Sequence, residues 1–340
     1  MRLTLIVLLS LASLGGCFAS QTPQAQSAAP DNSLAAGPVL EGCPLFPADN
    51  VWNTPVDTLP VDGMSATYIQ TIGANDHFHA DFGSGTWNGF PIGIPYNVVI
   101  GSQPKVSVIF DYSGESDPGP YPIPADPKIE GDPNSGDRHI LILDKDNCVL
   151  YELFDARKSG SQWYAGSGAI FDLSSNALRP ETWTSADAAG LAILPGLVRY
   201  EEVVAGEIKH AIRFTVSQTR RAYIWPARHY ASSLTGSQYP PMGLRLRLKA
   251  AFDITSYPSQ TQVVLQAMKK YGIILADNGS NWFISGAPDE NWNNDDLHSL
   301  HNLPGSVFEV VDTHFLIVDP DSGQALIPDF RYASLPLVQR

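Results

Sequence analysis

The sequence predicts a mainly β chain, a β-sandwich or jelly-roll-like body with one clear helix and short helical insertions. Three observations carry that expectation. The 340 residues include 28 glycines and 27 prolines, which punctuate short apolar runs from about residue 41 onward, the rhythm of a chain with many turns. The runs themselves have the length of strands rather than helices. Helical apolar spacing is sustained in one segment only, Ser259 to Tyr271, where Val263, Val264, Ala267 and Met268 recur on one face.

Taken in order, residues 1–16 have the layout of a secretory signal peptide, with Arg2 ahead of an apolar run from Leu3 to Leu14. That run is too short for a membrane span, which needs ~20 apolar residues. Residues 17–40 are rich in Ala, Gln, Ser and Pro without an apolar period and read as a flexible spacer. Residues 41–340 read as a single β-rich globular domain. Its candidate strands are Tyr96–Ile100, Val106–Tyr112, His139–Leu143, Val149–Phe154, Ala169–Leu173 and Ala211–Val216. Further candidates are Ala222–Trp225, Leu244–Ala251, Ile273–Ala276, Trp282–Ser285 and Phe308–Val311. Asp144-Lys145-Asp146-Asn147 predicts a tight turn joining two of these into a hairpin. Leu244-Arg245-Leu246-Arg247-Leu248-Lys249 alternates strictly, which predicts one apolar face and one cationic outer face. Ser259 is the expected N-cap of the helix and Gly272 its stop. Shorter helical turns are expected at Glu201–His210 and Asp295–Asn302, and no internal repeat is visible.

Leu14-Gly15-Gly16-Cys17 resembles the lipobox of bacterial lipoproteins. The resemblance implies cleavage before Cys17, lipidation of that cysteine, and an exported protein anchored at an outer membrane or cell surface. A membrane is then a partner through the lipid alone. The globular part is similar to a group of secreted bacterial proteins in the runs Asp117-Pro118-Gly119-Pro120-Tyr121-Pro122-Ile123-Pro124 and Ala276-Asp277-Asn278-Gly279-Ser280. That similarity carries over no catalytic residues. With Cys17 lipidated, Cys43 and Cys148 remain as an even pair in an oxidising compartment. A disulfide between them is expected to close a loop of about 105 residues; two unrelated buried thiols are the alternative.

A formal net charge of −14 with no Lys/Arg run excludes nucleic acid as a partner. No Gly-x-Ser-x-Gly elbow, phosphate loop, His-Glu-x-x-His or dinucleotide fingerprint occurs, which argues against serine hydrolase, kinase and nicotinamide chemistry.

The chemistry-bearing candidates lie in four places. In Asp76-His77-Phe78-His79-Ala80-Asp81, alternation puts His77, His79 and Asp81 on one side of an extended chain. That trio suits a divalent cation, or His79 and Asp81 suit a base and its orienting acid. Asp137-Arg138-His139 opens an apolar strand, where Asp137 and His139 are catalytic candidates and Arg138 a substrate contact. Arg220 to Tyr230 is the densest basic and aromatic stretch. Read as a strand, it gives Arg221, Tyr223 and Trp225 a shared face, with Arg228, His229 and Tyr230 beyond and Arg245 in a neighbouring strand. Asp277 ends an apolar strand and is a candidate acid or base. Asp289, Glu290, Asp295 and Asp296 lack calcium-loop spacing and read as a helix-capping loop.

These features together point to a carbohydrate-active enzyme on an extracellular glycan. As a polysaccharide lyase it would use Arg221, Arg228 or Arg245 to neutralise a uronate, with His139, His229 or Tyr230 moving the proton. As a glycoside hydrolase it would use Asp81, Asp137 or Asp277. The alternatives are a non-catalytic glycan-binding or envelope lipoprotein, and a metal-dependent hydrolase at His77, His79 and Asp81. No cofactor is required by the first two.

Overall fold

A computed structural model describes residues 37–327. The leader at 1–16, Cys17 and the spacer up to residue 36 lie outside the described residues. Among the described residues, no helix is long and apolar enough to cross a membrane.

The chain is mainly β. A four-stranded sheet runs in the order Ser167–Asp172, Val149–Phe154, Ile140–Asp144, Tyr96–Val99, and side chains along a strand alternate between its two faces. On one face, Ile140, Ile142, Tyr151 and Leu153 share a core with Val108, Trp163 and Tyr121. Val108 and Trp163 come from a three-stranded sheet of Arg157–Ser159, Gln162–Ala165 and Val108–Phe110. On the other, Leu141, Leu143, Leu150 and Phe171 join the main core with Ile212, Phe214, Leu246 and Ile273. The run Ile140-Leu141-Ile142-Leu143 is continuously apolar because both faces of its strand are covered. The turn at residues 144–147 joins Ile140–Asp144 to Val149–Phe154 as an antiparallel hairpin, with Asp144 opposite Val149.

The largest sheet has six strands in the order Phe308–Val310, Arg245–Leu248, Ile273–Asn278, Ile212–Val216, Phe283–Ser285, His79–Asp81. It is mixed: Ile273–Asn278 pairs in parallel with Ile212–Val216, and Phe283–Ser285 in parallel with His79–Asp81. The helix Ser259–Lys270 buries Val264, Leu265, Ala267 and Met268 in the main core. It starts after Pro258 without a side-chain cap, so Ser259 is its first residue rather than its N-cap. Gly272 ends it at φ +71°, where any side chain would strike the Leu246 carbonyl. A further helix, Ser65–Ile72, packs beside Phe308–Val310; there the Ser65 hydroxyl accepts from the Val310 N–H.

Ala222–Trp225 is not a strand, and Tyr223 makes only an isolated bridge to Met242. Arg245–Leu248 is a strand without an outer cationic face, because Arg245 and Arg247 are buried like the leucines between them. The segment from Val51 to Leu59 crosses that face, and its carbonyls need donors. Arg245 donates to the carbonyls of Tyr271, Val51 and Thr54. Arg247 donates to those of Val56 and Leu59 and to Glu309. Only Lys249 keeps an exposed position.

Cys43 and Cys148 form a disulfide across a sequence separation of 105, with Cα atoms 5.3 Å apart. It fastens the N-terminal segment to the hairpin turn.

Two stability measurements follow. Replacing both bridged cysteines by serine lowers the unfolding free energy by about 2–5 kcal/mol, read from urea midpoints against the oxidised parent. Arg245→Ala leaves three carbonyls without their donor and costs more than about 3 kcal/mol, whereas Lys249→Ala shifts stability by less than about 0.5 kcal/mol.

Candidate active site

The strand His79–Asp81 forms one edge of the six-stranded sheet, with His79 opposite Phe283 and Asp81 opposite Ser285. Beyond that edge opens a cleft of about 790 Å³. Its lining comes from Phe283 on the neighbouring strand and from four further segments. The edge strand gives His79 and Asp81, and the loop after the proline-rich stretch gives Glu130, Asp132 and Ser135. The helix Asn294–His298 and the turn that follows it give Asn294, Leu297, His298 and His301. A small hairpin pairs Trp87 with Phe90 across Asn88 and Gly89, both at positive φ, as a two-residue turn of this kind requires. It holds Trp87 74% exposed at the cleft.

His79 stacks on Phe283 with ring centres 4.3 Å apart, and its Nδ1 meets His301 Nε2 at 2.6 Å. His298 lies against His301 with ring centres 4.3 Å apart. Burial holds His79 and His301 below the ordinary histidine range, with the neighbouring imidazoles adding to the effect.

Asp81 is open to the cleft yet walled by protein. That enclosure raises its carboxyl above the usual aspartate range; the Glu130 and Asp137 charges add to the rise, while His79 and Arg213 oppose it. Glu130 is displaced the other way. Burial opposes its charge, but the adjacent His139 holds its carboxyl below the usual range. His139 is 2% exposed, with Nδ1 2.5 Å from Glu130 Oε2 and Nε2 3.0 Å from the Ala186 carbonyl. Both ring nitrogens face acceptors, so both carry protons and the ring is a cation. Burial opposes that charge, and Glu130 outweighs it, pushing the His139 pKa up to about 9.

Behind the cleft, Arg213 donates from Nε and Nη2 to the two carboxylate oxygens of Asp187 at 2.8 and 2.9 Å. It also donates to Ser285 Oγ at 2.6 Å and to Asp277 at 3.3 Å. Burial and the Asp187 charge raise Asp277, and Arg213 opposes them.

The sequence candidates therefore fall into separate neighbourhoods. His79 and Asp81 line the cleft. Asp137 and His139 offer ligand atoms within 4.8 Å of Glu130. Since both His139 nitrogens are donors, that trio leaves two carboxylates and no imidazole lone pair for a cation. Asp277 sits on the strand Ile273–Asn278 beside Arg213 and does not line the cleft; the Ala188 carbonyl near it takes His229 Nδ1 at 2.8 Å. His77 is exposed, in a bridge to Pro304, and does not line the cleft with His79 and Asp81.

None of the seven residues expected to contact substrate lines the cleft. Arg138 pairs with Asp155. Arg228 donates to the Arg179 and Pro320 carbonyls and to Asp321, and Arg245 is held by carbonyls as described above. Trp225 donates to the Ser322 carbonyl and Tyr223 to Glu181. Tyr230 lies between Arg221 and His229, stacked on the His229 ring at 5.7 Å. Asn293 caps the helix Asn294–His298 by accepting from the Asp295 and Asp296 N–H groups, so the acidic segment there is a capping loop.

Glu130, His298, His301 and Arg213 were not singled out from sequence. The His298-x-x-His301 spacing on a helical turn was the available signal for two of them. For Glu130 there was none, since its significance comes from His139 and the cleft.

The Glu130–His139 pair gives stability a pH signature. His139 is raised, so its contribution is complete below the unfolded value near 6.5 and is lost as pH rises towards about 9. Glu130 is lowered, so its share is present above its unfolded value of 4.5 and is lost as pH falls through its folded value. The contribution of buried Glu152, raised to about 7, is likewise lost as pH rises above its ordinary value of 4.5. Thermal melts of His139→Gln are therefore expected to fall furthest below the parent at mildly acidic pH. The gap should narrow between about pH 6.5 and 9.

No protein-family model, curated protein or solved structure matches this chain; the reading of the cleft rests on its own geometry.

Proposed function

We propose that this chain is a glycoside hydrolase, exported and lipid-anchored through Cys17, that cleaves an extracellular glycan in the cleft at the His79–Asp81 edge. The observation that carries the reading is a pair of carboxyl groups lining one cleft with proton affinities driven apart. Asp81 is raised by enclosure, and Glu130 is lowered by the buried His139 cation. Opposed displacement of this kind separates a proton donor from an ionised partner. Asp81 donates its proton to the glycosidic oxygen as the bond to the leaving sugar breaks. Glu130, ionised, acts on the opposite side of the sugar, either on the anomeric carbon or on the attacking water. His139 and Arg213 position and polarise these groups and do not touch the sugar. Trp87, Phe90 and Phe283 offer ring faces for the apolar sides of pyranose rings.

The lyase reading has less support, because among the described lining residues no Lys or Arg is present to neutralise a uronate. A metal-dependent hydrolase is favoured by one observation, the meeting of His79 and His301 nitrogens at 2.6 Å with His298 alongside. Chelation separates the two. The carboxylate mechanism keeps its rate in EDTA, whereas loss of activity restored by Zn²⁺ supports the metal reading.

Asp81→Asn and Glu130→Gln are each expected to lower kcat by ~10²–10⁴-fold while glycan binding persists. The rate should follow a bell-shaped pH profile, its acid limb set by Glu130 below the usual carboxylate range and its alkaline limb by Asp81 above it. Binding without turnover in the parent, across neutral and charged glycans, would instead mark a glycan-binding lipoprotein.

A further inference from the structure

We infer that the glycan suited to this cleft is cationic, a hexosamine polymer whose free amino groups carry positive charge at mildly acidic pH. The part of this that concerns cleavage rests on the hydrolase reading; the part that concerns binding rests on the cleft alone.

The argument is one of charge and shape. Among the described lining residues there are three carboxylates, Asp81, Glu130 and Asp132, and no Lys or Arg. The nearby guanidiniums are engaged elsewhere, Arg138 on Asp155 and Arg213 on Asp187 and Asp277. Glu130 is balanced by His139 and enclosure favours the protonated form of Asp81, which leaves Asp132 as the ionised carboxylate without an ion-pair partner. Its oxygens accept from the Asn134 N–H, the Asn134 side-chain amide and the Ser135 hydroxyl, which favours the ionised form. The cleft therefore presents fixed negative charge on a chain of net charge −14, and a concave acidic site concentrates cations.

The aromatic lining adds a second selection. Trp87, Phe90 and Phe283 line the same space, and ring faces attract both the C–H faces of a sugar and an ammonium group. A uronate polymer would meet repulsion at Asp132 and find no guanidinium to pair with. A neutral or fully N-acetylated glycan would stack equally well but bring no cation to the Asp132 carboxylate. A free-amine hexosamine satisfies both the rings and the charge.

The test is calorimetric binding of the full-length protein to three matched hexamers: glucosamine, N-acetylglucosamine and galacturonate. At mildly acidic pH, where the amino groups are protonated and Asp132 remains ionised, the glucosamine hexamer is expected to bind about tenfold or more tightly than the N-acetylated one at low ionic strength, with the gap closing as salt is raised. Asp132→Asn should narrow that gap without changing affinity for the N-acetylated hexamer. Equal or tighter binding of the N-acetylated hexamer, or any preference for galacturonate, overturns the inference. The two proposals also fail separately. Cleavage of the N-acetylated hexamer alone, abolished by Asp81→Asn, sinks the cationic ligand and keeps the hydrolase. Salt-sensitive binding of the glucosamine hexamer without cleavage does the reverse.

Discussion

A guanidinium sealed from water holds the part of the sheet from which the cleft is cut. Arg213 projects from Ile212–Val216 and reaches Asp187, Asp277 and Ser285. Two of those partners sit on neighbouring strands, and Ser285 stands opposite Asp81 in the last pairing of the sheet. Asp187 is fully buried, so loss of Arg213 would strand an uncompensated charge, at a cost of about 3–5 kcal/mol. The same cation lowers the proton affinity of both Asp81 and Glu130. Mechanical support for the edge strand and the electrostatic setting of the two cleft carboxyls thus come from one side chain.

The position of the cleft follows from the sheet edge. An open strand edge invites pairing with other chains, and here it is only three residues long. The helix Asn294–His298 and the Trp87 hairpin line the space beyond it, so the edge faces a walled cleft rather than open surface. Asp81 can be accessible without offering a pairing template.

Much of the β framework was legible in the sequence because alternation, turn residues and apolar runs are local signals. The run at Ile140–Leu143 announced a strand, and its lack of alternation reflected burial on both faces. Arg245 and Arg247 misled for the opposite reason. Their alternation is genuine, but their second face is closed by a segment nearly two hundred positions away in sequence, which no local pattern encodes. The basic and aromatic stretch near Arg228 failed similarly, since its donors end on carbonyls of Arg179 and Pro320 far along the chain. In the cleft, His79 and Asp81 stood out through their spacing. Glu130 did not, because a carboxylate acquires its character from the histidine and walls that the fold brings to it.

The disulfide has one more consequence, for the path that tension takes through the protein. Cys43 and Cys148 close a covalent ring, and His79, Asp81, Glu130, Asp132 and His139 all lie inside it by sequence. A pull applied between the segment before Cys43 and the far end of the chain crosses the sulfur bridge directly to the hairpin turn. The intervening residues lie off that covalent line and are held by non-covalent contacts such as the pairing of His79–Asp81 with Phe283–Ser285. Both carboxyls of the cleft are therefore carried by backbone that the covalent path bypasses.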